Sequence, residues 1–158
     1  MAIDGRELRN AMGRFATGVC LITTVTEEGE ALALTANSFS SVSLDPPLVL
    51  WSLQNGSDVY QSYAHPRYFA INVLAREQEA HSNQYARKGE HRLAPEHFRP
   101  GTHGSPIIHD ALASFECELD ATHEGGDHLI IVGRVLDMQV RAEGEPLLFY
   151  GGAYRELR

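Results

Sequence analysis

The residues best able to do chemistry crowd into one stretch, TANSFSSVSLDPPLVLWSL, Thr35 to Leu53. It holds five serines, a threonine and an asparagine around a turn at Asp45-Pro46-Pro47. Side chains of this kind at this density either serve a bound polar ligand or mark a polar corner, because serine and asparagine are ordinary turn formers. A second candidate is Gly126-Asp127-His128, where Gly-Asp is hairpin-turn chemistry and His128 carries an imidazole that can titrate near neutral pH. The third is His91, His97, His103 and His109, recurring every six residues. That spacing fits neither a helical nor a strand face and no carboxylate or cysteine completes a ligand set, so a metal is not expected. Cys20 and Cys117 lack a C-x-x-C partner and read as buried free thiols. No Gly-x-Gly-x-x-Gly opens a helix, and spacing singles out no Ser-His-Asp or Cys-His set.

These residues need a frame. Asp4 to Glu7 has capping-box spacing, and Leu8, Ala11, Met12 and Phe15 follow at helical intervals, which predicts an amphipathic helix over 4–16. Gly18 to Thr26 and ALALTA read as strands of a hairpin turning at Glu27 to Glu30. Pro47 to Gln54 is a further strand, ended by Asn55-Gly56, with Ser57 capping a short helix through Ala64. Arg67 to Ala75 is strand, Glu77 to Gly89 helix, and residues 89–106 a long surface loop rich in proline and glycine. ALASFECELDATHE and HLIIVGRVLDMQVRAE form a long hairpin across Gly125-Gly126-Asp127. About six or seven strands, mostly joined to sequence neighbours, predict a mainly β fold with flanking helices, an antiparallel barrel rather than a doubly wound sheet.

Length and charge narrow the function. A chain of 158 residues, 43% hydrophobic, fits one domain over 1–158. Net charge is −8 and no basic stripe interleaves with aromatics, so no nucleic-acid partner is expected. No apolar run approaches the roughly 20 residues that span a bilayer, and MAIDGRELRNAM lacks the order of a secretory signal. No membrane association and a cytoplasmic location are the expectation.

FATGV (Phe15 to Val19), TANSFSSVSLDPPLVL (Thr35 to Leu50), INVLA (Ile71 to Ala75), GDH (Gly126 to His128), VGRV (Val132 to Val135) and PLLFYGGAY (Pro146 to Tyr154) together resemble the short-chain flavin reductases. These are NAD(P)H-dependent components that supply reduced flavin to two-component monooxygenases. The motifs run in the family's order over nearly the whole chain. Ala33 stands where members often have glycine, and an extra basic residue common near the Gly151-Gly152 end is missing.

The resemblance implies an FMN-binding split β-barrel, normally a homodimer, that uses FMN or FAD with NADH or NADPH and serves a monooxygenase. It assigns Thr35, Ala36, Asn37 and Ser38 to the isoalloxazine, with Ser41, Val42 and Ser43 continuing past it. Small residues let backbone N–H groups approach a ring edge that gains negative charge on reduction. Ser52, Asn55 and Ser57 are assigned to the ribityl chain and phosphate, Ser57 at a helix start where free N–H groups favour anions. Arg87 is a phosphate partner, and Tyr154 in the last motif is also assigned to the cofactor. Gly126, Asp127 and His128 fall where the family contacts nicotinamide, with His128 as the catalytic candidate. Two other readings stay open: a flavoprotein that retains FMN, against which the GDH motif argues, and a non-catalytic flavin- or haem-binding module.

Overall fold

The computed structural model describes residues 2–158. Asp4 caps helix α1 (Gly5–Met12) by accepting the Arg6 backbone N–H at 2.9 Å. The helix stops short of residue 16 because the chain turns at Gly13, and none of its residues is buried. Its apolar face is bare: Met12 is 62% exposed, and Phe15 just beyond the helix 78%.

The strand expected from Gly18 to Thr26 divides at Val19. Thr17–Gly18 (β1) joins a small sheet with Leu148–Tyr150 (β11) and Ala153–Arg155 (β12), while Cys20–Val25 (β2) enters the main one. The main sheet continues with Ala31–Ala36 (β3), Ser40–Leu44 (β4), Pro47–Gln54 (β5) and Tyr68–Val73 (β6), and is completed by Ala113–Gly125 (β9) and His128–Val140 (β10). These seven strands run β3-β2-β6-β9-β10-β5-β4, and every neighbouring pair is antiparallel. β2 and β6 are near-continuous apolar runs because both their faces are covered. Ile22, Trp51, Phe69, Ile71 and Ile131 pack on one side, and Leu21, Leu74, Tyr85, Leu93 and Leu147 on the other. The glycine of VGRV has a packing cause, since a Cβ on Gly133 would lie 2.6 Å from Phe69 Cζ. Cys20 and Cys117 are buried free thiols, each pushed up to about 12 by burial, with Glu116 adding to the effect on Cys117.

The edges of this sheet, β3 and β4, are joined by only Asn37, Ser38 and Phe39. A connection that short keeps them within roughly 14 Å where the chain passes, yet they are not hydrogen-bonded to each other. The sheet is therefore a barrel left open along one seam, a mostly antiparallel split barrel.

Several segments differ from expectation. The serine run is an edge strand, β4, held on β5 by ladder bonds that low β-propensity does not prevent. Helix α2 is Tyr60–Ala64 and does not start at Ser57. Helix α3 covers only Glu79–Tyr85, after a 3₁₀ turn at Arg76–Gln78, and stops before Gly89. Residues 89–106 do not form a mere surface loop: Leu93 and His91 are buried against β3, and Phe98–Pro100 (β7) pairs with Pro106–Ile108 (β8).

Candidate functional site

The open seam makes a cleft of about 330 Å³, with Thr35, Ala36, Asn37 and Ser38 along one wall. Strand alternation explains why this wall offers backbone donors. The Ala33 N–H donates to the His91 carbonyl at 2.8 Å, and the Leu93 N–H to the Ala31 carbonyl at 2.9 Å. Residues 31 and 33 thus direct their backbone groups away from β2, and Thr35, two residues on, must do the same where no strand follows. The Thr35 hydroxyl is turned elsewhere, donating to the Ser82 carbonyl on α3 at 2.7 Å. Ser38 ties the β3–β4 link to β5: the Ser52 N–H donates to its Oγ at 2.9 Å, and its hydroxyl lies 3.3 Å from the Ser52 carbonyl.

Opposite, two turns are laced together. The Asn55 N–H donates to the Asp127 carbonyl at 2.9 Å, and its side-chain amide to the Gly126 carbonyl at 3.3 Å. This places His128 beside Gln54 in the β5–β10 register and on the cleft wall near Ser57. The Asp127 carboxylate meets His128 Nδ1 at 2.6 Å, and that hydrogen bond and the imidazole's charge hold the Asp127 carboxyl below its ordinary value. With Nδ1 engaged, Nε2 is the ring nitrogen left for a ligand.

The cleft gathers Thr35, Ala36, Asn37, Ser38, Ser52, Ser57 and His128 from the sequence candidates. Asn55, Gly126 and Asp127 stand behind it as the laced turns. Ser41, Val42 and Ser43 lie on β4, away from the cleft lining, with Val42 at a bulge and half exposed. Tyr154 lines an adjoining cavity of about 220 Å³ that shares Thr35, Ala36 and Asn37. Its hydroxyl donates to Asn83 Oδ1 at 3.1 Å and lies 2.6 Å from Ser82 Oγ. Arg87 turns to Glu90 at 3.8 Å, whereas Lys88, the only lysine of the chain, lines the cleft. Ser57 does not cap a helix; its Oγ accepts the Val59 N–H at 3.3 Å, so the helix-terminus argument for an anion lapses. The cleft's positive charge is carried instead by Lys88, with His91 beside it.

Sequence reasoning missed Asp58, and considered His91 only as one of the regularly spaced histidines. Asp58 Oδ1 lies 3.0 Å from His91 Nε2, and Asp58 Oδ2 accepts the Gly89 N–H at 2.6 Å. Desolvation works to raise the Asp58 carboxyl, but the Gly89 N–H and the charge and hydrogen bond of His91 outweigh it and hold it below its ordinary value. No spacing rule links residues so far apart in sequence. The other regularly spaced histidines disperse: His97 bonds Tyr85, His103 packs on Tyr68, and the His109 carbonyl accepts from Gln78.

The donor set fits a ligand rich in acceptors and carrying an anion. The Thr35 N–H, the Ser57 hydroxyl and Lys88 are available as donors, and His128 presents Nε2. Trp51, on the same lining, has a buried indole N–H with no partner among the described residues.

Comparison with known proteins agrees. The pattern of the flavin reductase like domain matches residues 12–158. The chain is 44% identical over 151 residues to an FMN reductase (NADH), SmoA, of Agrobacterium fabrum, covering 96% of this chain and 85% of that protein. It is 42% identical to the reductase component of a flavin-dependent trigonelline monooxygenase of Acinetobacter baylyi, covering 94% of this chain but 48% of that longer protein. The NADH:FAD oxidoreductase SgcE6 of Streptomyces globisporus, solved with NAD and FAD fragments, superposes with a TM-score of 0.91 at 33% identity, covering 100% of this chain and 97% of that one. A cleft set in the seam of a split barrel and a match of this length have one meaning: the chain belongs to the flavin reductase-like family.

Proposed function

We propose that this protein is an NADH-dependent flavin reductase that reduces FMN or FAD by hydride transfer and passes the reduced flavin to a separate monooxygenase. The observation that carries the reading is the cleft itself, where the free backbone edge at Thr35 faces an imidazole, His128, held by Asp127. A bound flavin supplies the hydride-accepting ring. The chain's part is to orient that ring and the nicotinamide at near-attack distance, which needs no strong general acid or base.

In this reading Thr35 to Ser38 hold the ring edge, and Ser57 and Lys88 take the phosphate. His128, through Nε2, contacts the dinucleotide. The bare apolar residues Leu8, Met12 and Phe15 support a homodimer in which a second copy covers them. Two buried free thiols fit a reducing, cytoplasmic compartment.

The test is direct. Purified protein is mixed with NADH, and nicotinamide absorbance is followed with and without free FMN or FAD. Steady NADH loss that rises with added flavin is expected. A single turnover that free flavin does not extend would replace this reading with that of a flavoprotein retaining its cofactor.

A further inference from the structure

Asp58 and His91 lie at the end of the cleft where Lys88 stands, and their geometry is more specific than an ordinary ion pair. His91 is 5% exposed and has an oxygen on each side: Nδ1 lies 3.2 Å from the Ala33 carbonyl, and Nε2 lies 3.0 Å from Asp58 Oδ1. The ring therefore bridges the Ala33 carbonyl on β3 and the Asp58 carboxylate. The other Asp58 oxygen holds the Gly89 N–H, and Gly89 sits at φ 81°, in the left-handed region that lets the chain turn back at this point. One carboxylate thus grips residues 89 and 91 of the segment that carries Lys88.

The other charges nearby are accounted for. On the same segment Arg87 turns to Glu90, and Arg92 donates to Glu30 at 2.8 Å. From β3 only the Ala33 carbonyl faces the ring, and from β10 His128 shares the cleft while bonded to Asp127. That leaves Lys88 as the lining cation without an ion-pair partner among the described residues.

We propose that Asp58 and His91 form a clasp that sets the Lys88 segment against the cleft, making His91 a positioning residue for the phosphate end of the flavin. The inference rests on the flavin reading above and assigns His91 no contact with the reacting ring. Its consequence is selective. Removing either partner frees the Lys88 segment, so hold on the phosphate weakens while hold on the ring does not. Affinity for FMN should fall in such variants, and affinity for riboflavin, which has no phosphate, should not.

The experiment titrates wild-type protein and variants with FMN and with riboflavin, reading quenching of flavin fluorescence. His91→Ala and Asp58→Ala should weaken FMN about tenfold near neutral pH and leave riboflavin within about twofold. Asp58→Asn is the discriminating variant. Its amide can accept the Gly89 N–H and still hydrogen-bond the His91 ring, so it should keep FMN affinity within roughly threefold. The proposal is overturned if folded His91→Ala binds FMN as wild type does, if both flavins weaken together, or if Asp58→Asn loses FMN affinity as fully as Asp58→Ala does. Wild-type protein that binds neither flavin would instead remove the flavin reading, and this inference with it.

Discussion

Ser38 and Ser52 tie the β3–β4 link to β5: the backbone N–H of Ser52 donates to the Ser38 hydroxyl oxygen at 2.9 Å, and that hydroxyl lies 3.3 Å from the Ser52 carbonyl. A side chain that hydrogen-bonds the link between β3 and β4 to β5 is thus also a wall of the cleft. Ser38→Ala should cost about 1 to 2 kcal/mol of stability, because it leaves the partly buried Ser52 amide without a partner. Flavin affinity should fall with it. Denaturant unfolding and flavin titration check both, and an alanine variant as stable as wild type would show that the bridge does not hold the link. The same bridge means that a bulky Ser38→Phe would disturb the link and the ring site together.

His128 offers a cleaner separation of binding from chemistry. If its Nε2 contacts the dinucleotide, His128→Ala should lower kcat/KM for NADH roughly tenfold to a hundredfold, the worth of one hydrogen bond to a charged partner. Flavin affinity should barely move. Wild-type NADH kinetics in the variant would return the motif to simple turn chemistry.

Asp127→Asn separates orientation from contact. It keeps the size of the side chain but removes the charge that meets Nδ1 at 2.6 Å. Steady-state kinetics should show a loss of NADH efficiency of about twofold to fivefold, in line with a weak exposed ion pair. A loss equal to that of His128→Ala would make the aspartate itself the contact.

The bare face of α1 predicts the assembly state. Light scattering should give twice the sequence mass, and Phe15→Glu, which places a charge on a residue 78% exposed in the protomer, should shift it toward monomer. A fully active wild-type monomer at micromolar concentration would end the dimer proposal.

Acid should weaken the fold through the histidine stack. His81 and His97 rings lie 4.1 Å apart, and burial, then His97, push His81 below its ordinary 6.5. The unfolded chain therefore binds the proton more readily, and the neutral-pH stability is lost as pH falls below about 6.5 toward the folded value. Unfolding midpoints measured from about pH 7.5 to about pH 5.5 should fall, and less so in His81→Gln. A flat profile in wild type would contradict this.

The parts of the fold most legible in sequence were those where one pattern dominated. The β9–β10 hairpin reads directly because β-branched runs flank a Gly-Asp turn, and β2–β3 because a charged turn separates two apolar runs. β4 was hidden because its serines have little strand preference of their own, and only the β5 ladder makes them one. The segment after Gly89 was hidden because two buried residues, His91 and Leu93, sit among prolines and charges that read as surface. In the site, Thr35 to Ser38 and His128 stood in the family's motifs, whereas Ser52 and Ser57 lie outside them, and Ser57 lines the cleft without the helix start that suggested it. The Asp58–His91 pair joins two turns distant in sequence, and no local pattern announces a contact that the tertiary fold alone creates.

The free edge of β3 also bears on solubility. Unpaired strand edges recruit other strands, and this chain blunts its two edges differently. β4 is kinked by its bulge at Val42, whereas β3 is covered by residues 91 to 93 only as far as Ala33, and the uncovered end at Thr35 opens onto the cleft. A ligand seated there caps the last template for strand addition, so protein stripped of flavin should be the form that aggregates on storage.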